Sequence, residues 1–255
     1  MQLDQVNALI TGGVSGLGLA VARKLVNAGG KAVLLDINDE AGNKVTAELG
    51  DSVQYFNTDV TDEAAVQSTV EAAVNHMGAV NVAINCAGII GAGRVLGREA
   101  PMALEYFSRV IQVNLVGAFN VCKAVGAVME HNEPGPDGER GVIVSTSSVA
   151  AFDGQIGQAA YAASKAGIVG MTLPIAREFT RIGVRVMAIA PGIFHTPMVD
   201  GMPDHIQESL GASIPFPKPL GRPEEFAELV AHIVENGYLN GETIRLDGAV
   251  RLAPK

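Results

Sequence analysis

Seven short apolar runs recur along this chain, separated by segments of helix length. The runs are VNALI (6–10), AVLLD (32–36), SVQYF (52–56), VAIN (82–85), GVIVST (141–146), VRVMAIA (184–190) and TIRLD (243–247). They are continuous rather than alternating, the pattern of strands covered on both faces. Segments 16–28, 62–77, 101–131 and 158–180 carry helical spacing. This alternation predicts an α/β fold, a doubly wound parallel sheet with helices on both sides. No linker divides the chain, so one domain over residues 1–255 is expected. NEPGPDGER (132–140) and the stretch 191–222 are expected to be long loops, the second a flap on that domain.

Composition narrows the function classes. Of 255 residues, 48% are hydrophobic and 30 are glycine, which suits a well-buried chain with many tight turns. The formal net charge is −9 with no dense basic run, which disfavours nucleic acid as a partner. The two cysteines, Cys86 and Cys122, form no CxxC pair and imply neither a disulfide framework nor a zinc site. The N-terminus lacks a basic stretch followed by a long apolar one, so no signal peptide or membrane span is expected and a cytoplasmic setting is the default.

The first run leads into TGGVSGLG (11–18), in which Gly12, Gly16 and Gly18 are spaced G-x-x-x-G-x-G. Glycines after a strand and before a helix let a pyrophosphate approach the helix N-terminus. Asp36 ends the second run, 18 residues beyond Gly18. A carboxylate there accepts hydrogen bonds from ribose hydroxyls and repels a 2′-phosphate. Neither Val14 nor Ile37 offers a compensating cation, which points to NAD rather than NADP; the alternative is that Asp36 only caps the next helix. Asp59 and Val60, then Asn85, Cys86, Ala87 and Gly88, follow the third and fourth runs, where ligands of open parallel sheets bind. Cys86 is expected to be a small filler rather than a reactive thiol.

Tyr161 and Lys165 sit four apart in YAASK, one turn apart on one helix face. A phenol with a pKa of about 10 is a poor base at neutral pH, and a neighbouring cation favours its ionised form. Ser148 stands thirteen residues earlier, just past the fifth run, and Asn114 lies in VNLVGAFN. Ser, Tyr, Lys and Asn on a nucleotide fold make an acid–base set that needs no metal.

The glycine loop, NCAG (85–88), the Asn114 context, Ser148 and YAASK together resemble the short-chain dehydrogenase/reductase family, whose members have a Rossmann fold. A narrower likeness, over NEPGPDGERGVIVSTSSVAAFDGQIGQAAYAASKAGIVGMTLPIARE and PFPKPLGRPEEFAELVAHIVENGYLNGETIRLDGAVRLAP, is to family members acting on 3-hydroxyacyl-CoA. The resemblance implies Tyr161 as the acid/base, Lys165 as the group that lowers its pKa, Ser148 as the holder of the substrate oxygen, and Asn114 as the keeper of a linking water. It implies cofactor contacts at Ser15, Leu17, Asp36, Asp59, Val60 and Cys86, and at Phe194 and Thr196 on the nicotinamide side. Gln155 and Gln158 are implied at the substrate mouth. The implied reaction is hydride exchange between NAD and a 3-hydroxyacyl-CoA; a hydroxysteroid or general secondary alcohol, a 3-oxoacyl-carrier protein, or a non-catalytic cofactor-binding role are the alternatives. A homotetramer is implied, through segments 101–131 and 158–180.

His195 and the stretch 89–107 depart from the family pattern. An apolar set on the flap (Ile193, Phe194, Met198, Met202, Ile214, Phe216) is expected either to pack a small satellite core or to close over an acyl chain. Arg94, Arg98, Lys218 and Arg222 are the expected counter-charges for the phosphates of CoA.

Overall fold

Each apolar run is a strand, displaced by at most one residue at its ends. The strands are β1 (Asn7–Thr11), β2 (Lys31–Asp36), β3 (Val53–Asn57), β4 (Val82–Asn85), β5 (Gly141–Thr146), β6 (Val184–Pro191) and β7 (Thr243–Leu246). All seven pair in parallel in the order β3-β2-β1-β4-β5-β6-β7, in a computed structural model that describes residues 1–201, 203–217 and 220–254. Ala8 pairs with Ala32 on one side and Val82 on the other. The strand order therefore reverses between β1 and β4.

Why the runs are continuous follows from the cores. Ala8, Ile10, Leu34, Ile84, Val144 and Ile189 point into one core, with Leu25 of α1 (Gly16–Asn27) and Phe226 and Val230 of α9 (Pro223–Glu235). Their neighbours Leu9, Val33, Leu35, Ala83, Ile143 and Val186 point into a second core on the opposite face. That core is filled from α3 (Glu63–Met77) by Val66 and Val70 and from α5 (Gly117–Met129) by Val121, Val125 and Met129. Successive side chains of a strand face opposite ways, so a sheet covered twice needs apolar residues at every position. Each such Leu or Ile contributes about 1.5–3 kcal/mol by leaving water.

The remaining helices are α2 (Asp39–Leu49), α4 (Leu104–Ile111), α6 (Ala159–Phe179), α7 (Pro197–Asp200) and α8 (Asp204–Ala212). Asn38 and Asp62 cap α2 and α3 by accepting from the N–H groups of Ala41 and Ala65. The expected helix over 101–131 is not continuous in its winding. Residues Gln112–Val116 form a π turn between α4 and α5, a feature frequent at functional sites. Leu104–Met129 is also the one helical stretch among the described residues long and apolar enough to cross a membrane. Half of its apolar window is buried within the protein, with Val121, Val125 and Met129 fully so.

An arginine closes the amino end of the sheet. Buried Arg185 of β6 donates from Nη1 to the carbonyls of Ile233 (2.8 Å), Leu239 (2.9 Å) and Asn236 (3.3 Å), and from Nη2 to Val234 (3.1 Å). These include the last-turn carbonyls of α9, which have no partner in their own helix. Glu139 balances the charge, accepting from Nε at 2.7 Å. Replacing Arg185 with Met strands the carbonyls and leaves Glu139 with the N-terminal ammonium, 3.5 Å away. It is expected to cost about 3–5 kcal/mol of stability in urea denaturation. Arg181→Met, which removes an exposed pair with Glu130, is expected to cost less than about 1 kcal/mol.

Candidate functional site

A cavity of ≈ 700 Å³ opens at the carboxyl ends of the strands, where the order reverses. The glycine loop forms one wall. Gly12 has φ +62°, and a Cβ on it would lie 2.8 Å from the Ala87 nitrogen. A Cβ on Gly18 would lie 2.3 Å from the Gly12 carbonyl oxygen. Only glycine allows this packing of loop against helix. Ser15, the N-cap of α1, makes no side-chain capping bond, so the first-turn N–H groups of α1 face the cavity without that partner. A phosphate fits there on the donors present.

Asp36 and Asp59 stand on the same cavity. Asp36 Oδ1 accepts the N–H of Ile37 (2.8 Å) and of Asn38 (3.2 Å), which fixes the carboxylate at the exit of β2. Asp59 Oδ1 accepts from the N–H (2.9 Å) and hydroxyl (2.8 Å) of Thr61. The Val60 carbonyl is tied to Asn120 Nδ2 at 3.0 Å. Gly16, Leu17, Cys86 and Gly88 complete the expected lining at this end. Burial pushes the Cys86 thiol up to about 11, so it stays protonated at neutral pH, as a filler does.

Asn85 does not line the cavity. Its Nδ2 donates to Ser145 Oγ (3.1 Å) and Cys122 Sγ (3.4 Å), and its Oδ1 is buried without a partner among the described residues. As the last residue of β4 it alternates away from the opening. The next two residues, Cys86 and Ala87, do line the cavity. Thr11, not singled out in the sequence, holds those two: its hydroxyl accepts the N–H of Cys86 (3.2 Å) and Ala87 (3.1 Å).

At the other end, Ser148, Tyr161 and Lys165 meet. The Ser148 hydroxyl accepts the N–H of Ala150 at 3.1 Å and stands near enough to the Tyr161 phenol to favour its ionised form. Lys165 is buried; its Nζ donates to the Thr146 carbonyl at 2.8 Å and lies 5.8 Å from the centre of the Tyr161 ring. Burial lowers the Lys165 pKa to about 8. Burial raises that of Tyr161, and only Ser148 pulls it back. The expected lowering of the Tyr161 pKa by Lys165 is thus not produced by the protein alone: loss of water outweighs the ammonium.

Asn114, in the π turn, closes the site from behind. Its Oδ1 accepts the Ile89 N–H (2.8 Å), and its Nδ2 donates to the Ile89 carbonyl (3.0 Å) and to Ser164 Oγ (3.1 Å). It ties the exit of β4 to α6 and does not itself line the cavity. Ile89, Arg109, Gln112, Val113 and Thr146 do line it and had no sequence signal beyond standing at strand ends or beside the π turn.

Gln155 and Gln158 lie outside the lining. Gln155 Nε2 donates to the Ala253 carbonyl at 2.9 Å, and the N–H of Gln155 to Gln158 Oε1 at 3.0 Å. They fasten the C-terminal segment. His195 is half exposed and meets Asp200 at 3.2 Å, as an exposed loop residue does. Phe194, Thr196, Pro197 and Val199 border the cavity from the flap. Ile193 and Ile214 pack with Leu220 and Val250 in a satellite core, whereas Phe216 is exposed. Met202 and Lys218, and the side chain of Met198, lie outside the described residues. Arg94 and Arg98 are exposed on a small hairpin closed by the Leu96–Pro101 bridge, and Arg222 pairs with Glu225.

The family model for short chain dehydrogenases matches residues 6–207. The chain is 53% identical over 249 residues to 3-hydroxyacyl-CoA dehydrogenase type-2 of Bos taurus, covering 97% of this chain and 95% of that protein. It is 52% identical, with the same coverage, to the protein of that description in Homo sapiens. A crystal structure of 3-hydroxyacyl-CoA dehydrogenase type-2 from Mycobacterium avium is similar with a TM-score of 0.93 at 42% identity, covering 97% of this chain and 96% of that one. With a glycine cradle at one end of the cavity and a Ser–Tyr–Lys group at the other, the chain belongs to the short-chain dehydrogenase family and is an oxidoreductase that uses a nicotinamide cofactor.

Proposed function

We propose that this protein interconverts 3-hydroxyacyl-CoA and 3-oxoacyl-CoA thioesters, with NAD as its cofactor. The observation that carries the chemistry is that Ser148, Tyr161 and the buried Lys165 line one cavity together. The thioester class rests on two relatives above 50% identity that bear that name and are matched along nearly their whole length.

NAD is favoured over NADP by Asp36. Its fixed carboxylate repels a 2′-phosphate, and Ile37 beside it is exposed and uncharged. Gly12, Ser15, Gly16, Leu17 and Gly18 would hold the pyrophosphate, Asp59 and Val60 the adenine, Cys86, Ala87 and Gly88 the ribose, and Phe194 and Thr196 the nicotinamide. The bound nicotinamide supplies hydride exchange and, when oxidised, a positive charge. Tyr161 exchanges the proton of the substrate oxygen through its phenol oxygen. Burial keeps that phenol protonated in the protein alone, which suits donation to a carbonyl during reduction. Ser148 holds the substrate oxygen beside it. Lys165 is immobilised on Thr146, and Asn114 fixes the Gly88–Ile89 turn that passes over Lys165. Arg94 and Arg98 supply exposed positive charge for the CoA phosphates, in contacts that salt screens.

Assembly and location follow the same proposal. Val116, Phe119 and Leu173 leave apolar surface uncovered at 38%, 50% and 42% exposure. Pairing of these helices in a homotetramer with two-fold axes would cover it. A cytoplasmic location fits the free thiols of Cys86 and Cys122.

Three measurements test these statements. Acetoacetyl-CoA should be reduced with a kcat/KM far above that of free acetoacetate, and with NADH in preference to NADPH; Asp36→Ala should narrow that preference. Equal rates for thioester and free acid would turn the assignment to a hydroxysteroid or general alcohol dehydrogenase, and a preference for NADPH would overturn the NAD assignment. Tyr161→Phe keeps the ring and removes the proton donor, so turnover should fall by about 10² or more with NADH binding retained. Light scattering at micromolar concentration should give four times the chain mass, and a monomer refutes the tetramer.

A further inference from the structure

The twelve residues between Ser148 and Tyr161 run along the surface beside the cavity and have little core of their own. Among them Phe152 and Ile156 are about half exposed. Val149, Ala150 and Ala160 anchor the two ends of this segment and the Gly93 N–H donates to the Gly157 carbonyl at 2.7 Å, but its middle is fastened from the end of the chain. Arg245, on the edge strand β7, donates from Nη2 to Asp153 Oδ2 at 2.6 Å and from Nε to Asp247 Oδ2 at 2.7 Å. Its guanidinium stands 5.2 Å from the centre of the Phe152 ring. Nη2 also reaches the Val250 carbonyl at 3.1 Å. The three ion-pair side chains are 22%, 18% and 9% exposed for Arg245, Asp153 and Asp247, so water screens them poorly. Beyond them the Ile156 N–H donates to the Pro254 carbonyl at 3.0 Å, and Gln155 to that of Ala253.

The same cluster touches the opposite wall. The Gly192 N–H donates to the Leu246 carbonyl at 2.9 Å, and a Cβ on Gly192 would lie 2.8 Å from Asp247 Cα. Gly192 lines the cavity two residues before Phe194. One arginine therefore joins the segment that carries Ser148 and Tyr161 to the segment that carries the flap.

We infer that Arg245 is a positioning residue for the reaction: through Asp153 and Asp247 it sets the distance between the Ser148–Tyr161 pair and the cavity wall at Gly192. It touches no substrate atom. Its effect is on turnover, because a misplacement of the order of 1 Å in the reacting geometry costs about a hundredfold in rate. The glycine loop and Asp36, at the far end of the cavity, are untouched by it. The inference rests on the roles proposed above for Ser148 and Tyr161.

The test uses the full-length enzyme and its Arg245→Met, Arg245→Lys and Asp153→Asn variants. For each, kcat and KM are measured with acetoacetyl-CoA and NADH, the dissociation constant of NADH by fluorescence, and amide hydrogen exchange over 149–158. Arg245→Met is expected to lower kcat by about tenfold or more, leave the NADH dissociation constant unchanged and speed exchange in that segment. Lys at 245 retains one ion pair and should recover part of kcat. Asp153→Asn preserves shape, and its loss should be in the same direction and smaller; it carries the test alone if Arg245→Met does not fold. Unchanged kcat with faster exchange, or kcat and NADH affinity falling together, overturns the inference. A wild-type enzyme inactive on acetoacetyl-CoA refutes the thioester assignment instead, and the comparison of variants then runs on whichever secondary alcohol it oxidises.

Discussion

No side chain fits between Gly12 and the backbone that leaves β4, and the cavity depends on that contact. The Gly12 N–H is held by the Leu35 carbonyl of β2 at 2.8 Å, while the preceding Thr11 hydroxyl takes the N–H groups of Cys86 and Ala87. Three strand ends are thereby tied within one turn of chain. Beyond the tie the connections diverge, α1 to one face and the path toward α4 to the other. A parallel sheet opens a crevice only where its order reverses, and here the reversal and the glycine coincide. The phosphate end is thus a consequence of backbone packing, not of any charged side chain.

The chemical end is governed by lost water. Lys165 has only the Thr146 carbonyl as a hydrogen-bond partner among the described residues, and its pKa falls to about 8. A lowered lysine pKa means its charged form is fully present only below that value and is lost as pH rises through it. Tyr161 moves the opposite way for the same reason: burial opposes whichever form is charged. The protein alone therefore holds a neutral phenol next to an ammonium that releases its proton more readily than usual. Both groups are left responsive to any charge brought into the cavity, since in a dry site a nearby charge acts with little screening.

How far the sequence was legible divides along the same physical line. The strands were readable to within a residue because the central ones are buried on both faces and run as nearly unbroken apolar stretches, Arg185 being the charged exception. That the glycine loop, Asp36, Asp59, Ser148, Tyr161 and Lys165 share one cavity was readable because they stand at strand exits or on a helix turn, where local spacing fixes direction. Asn85 was expected to bring backbone towards the ligand; a strand's last residue faces either way, and its side chain turns to Ser145 and Cys122. Gln155 and Gln158 were expected at the substrate mouth; their partners are each other and Ala253, nearly a hundred residues on. Nothing local announces such a contact. The π turn at Gln112–Val116 is equally silent, because a one-residue widening of a helix leaves its apolar pattern almost intact.

The flap shows both of its expected characters, in different parts. Its neck is closed by backbone bonds: His195 N–H to the Gly221 carbonyl at 2.8 Å, and Gly221 N–H to Ile193 at 2.9 Å. Gly221 is needed there, since a Cβ would lie 2.8 Å from the Phe194 ring. Ile193, Ile214 and Leu220 bury against Val250 just behind that neck and make it rigid. Between these anchors Thr196, Pro197 and Val199 line the cavity, and Val199 and Leu210 pack partly buried against the satellite core. Phe194 joins the two parts, since it lines the cavity and is buried in the main core, so the cavity wall at the neck is held from behind by the sheet.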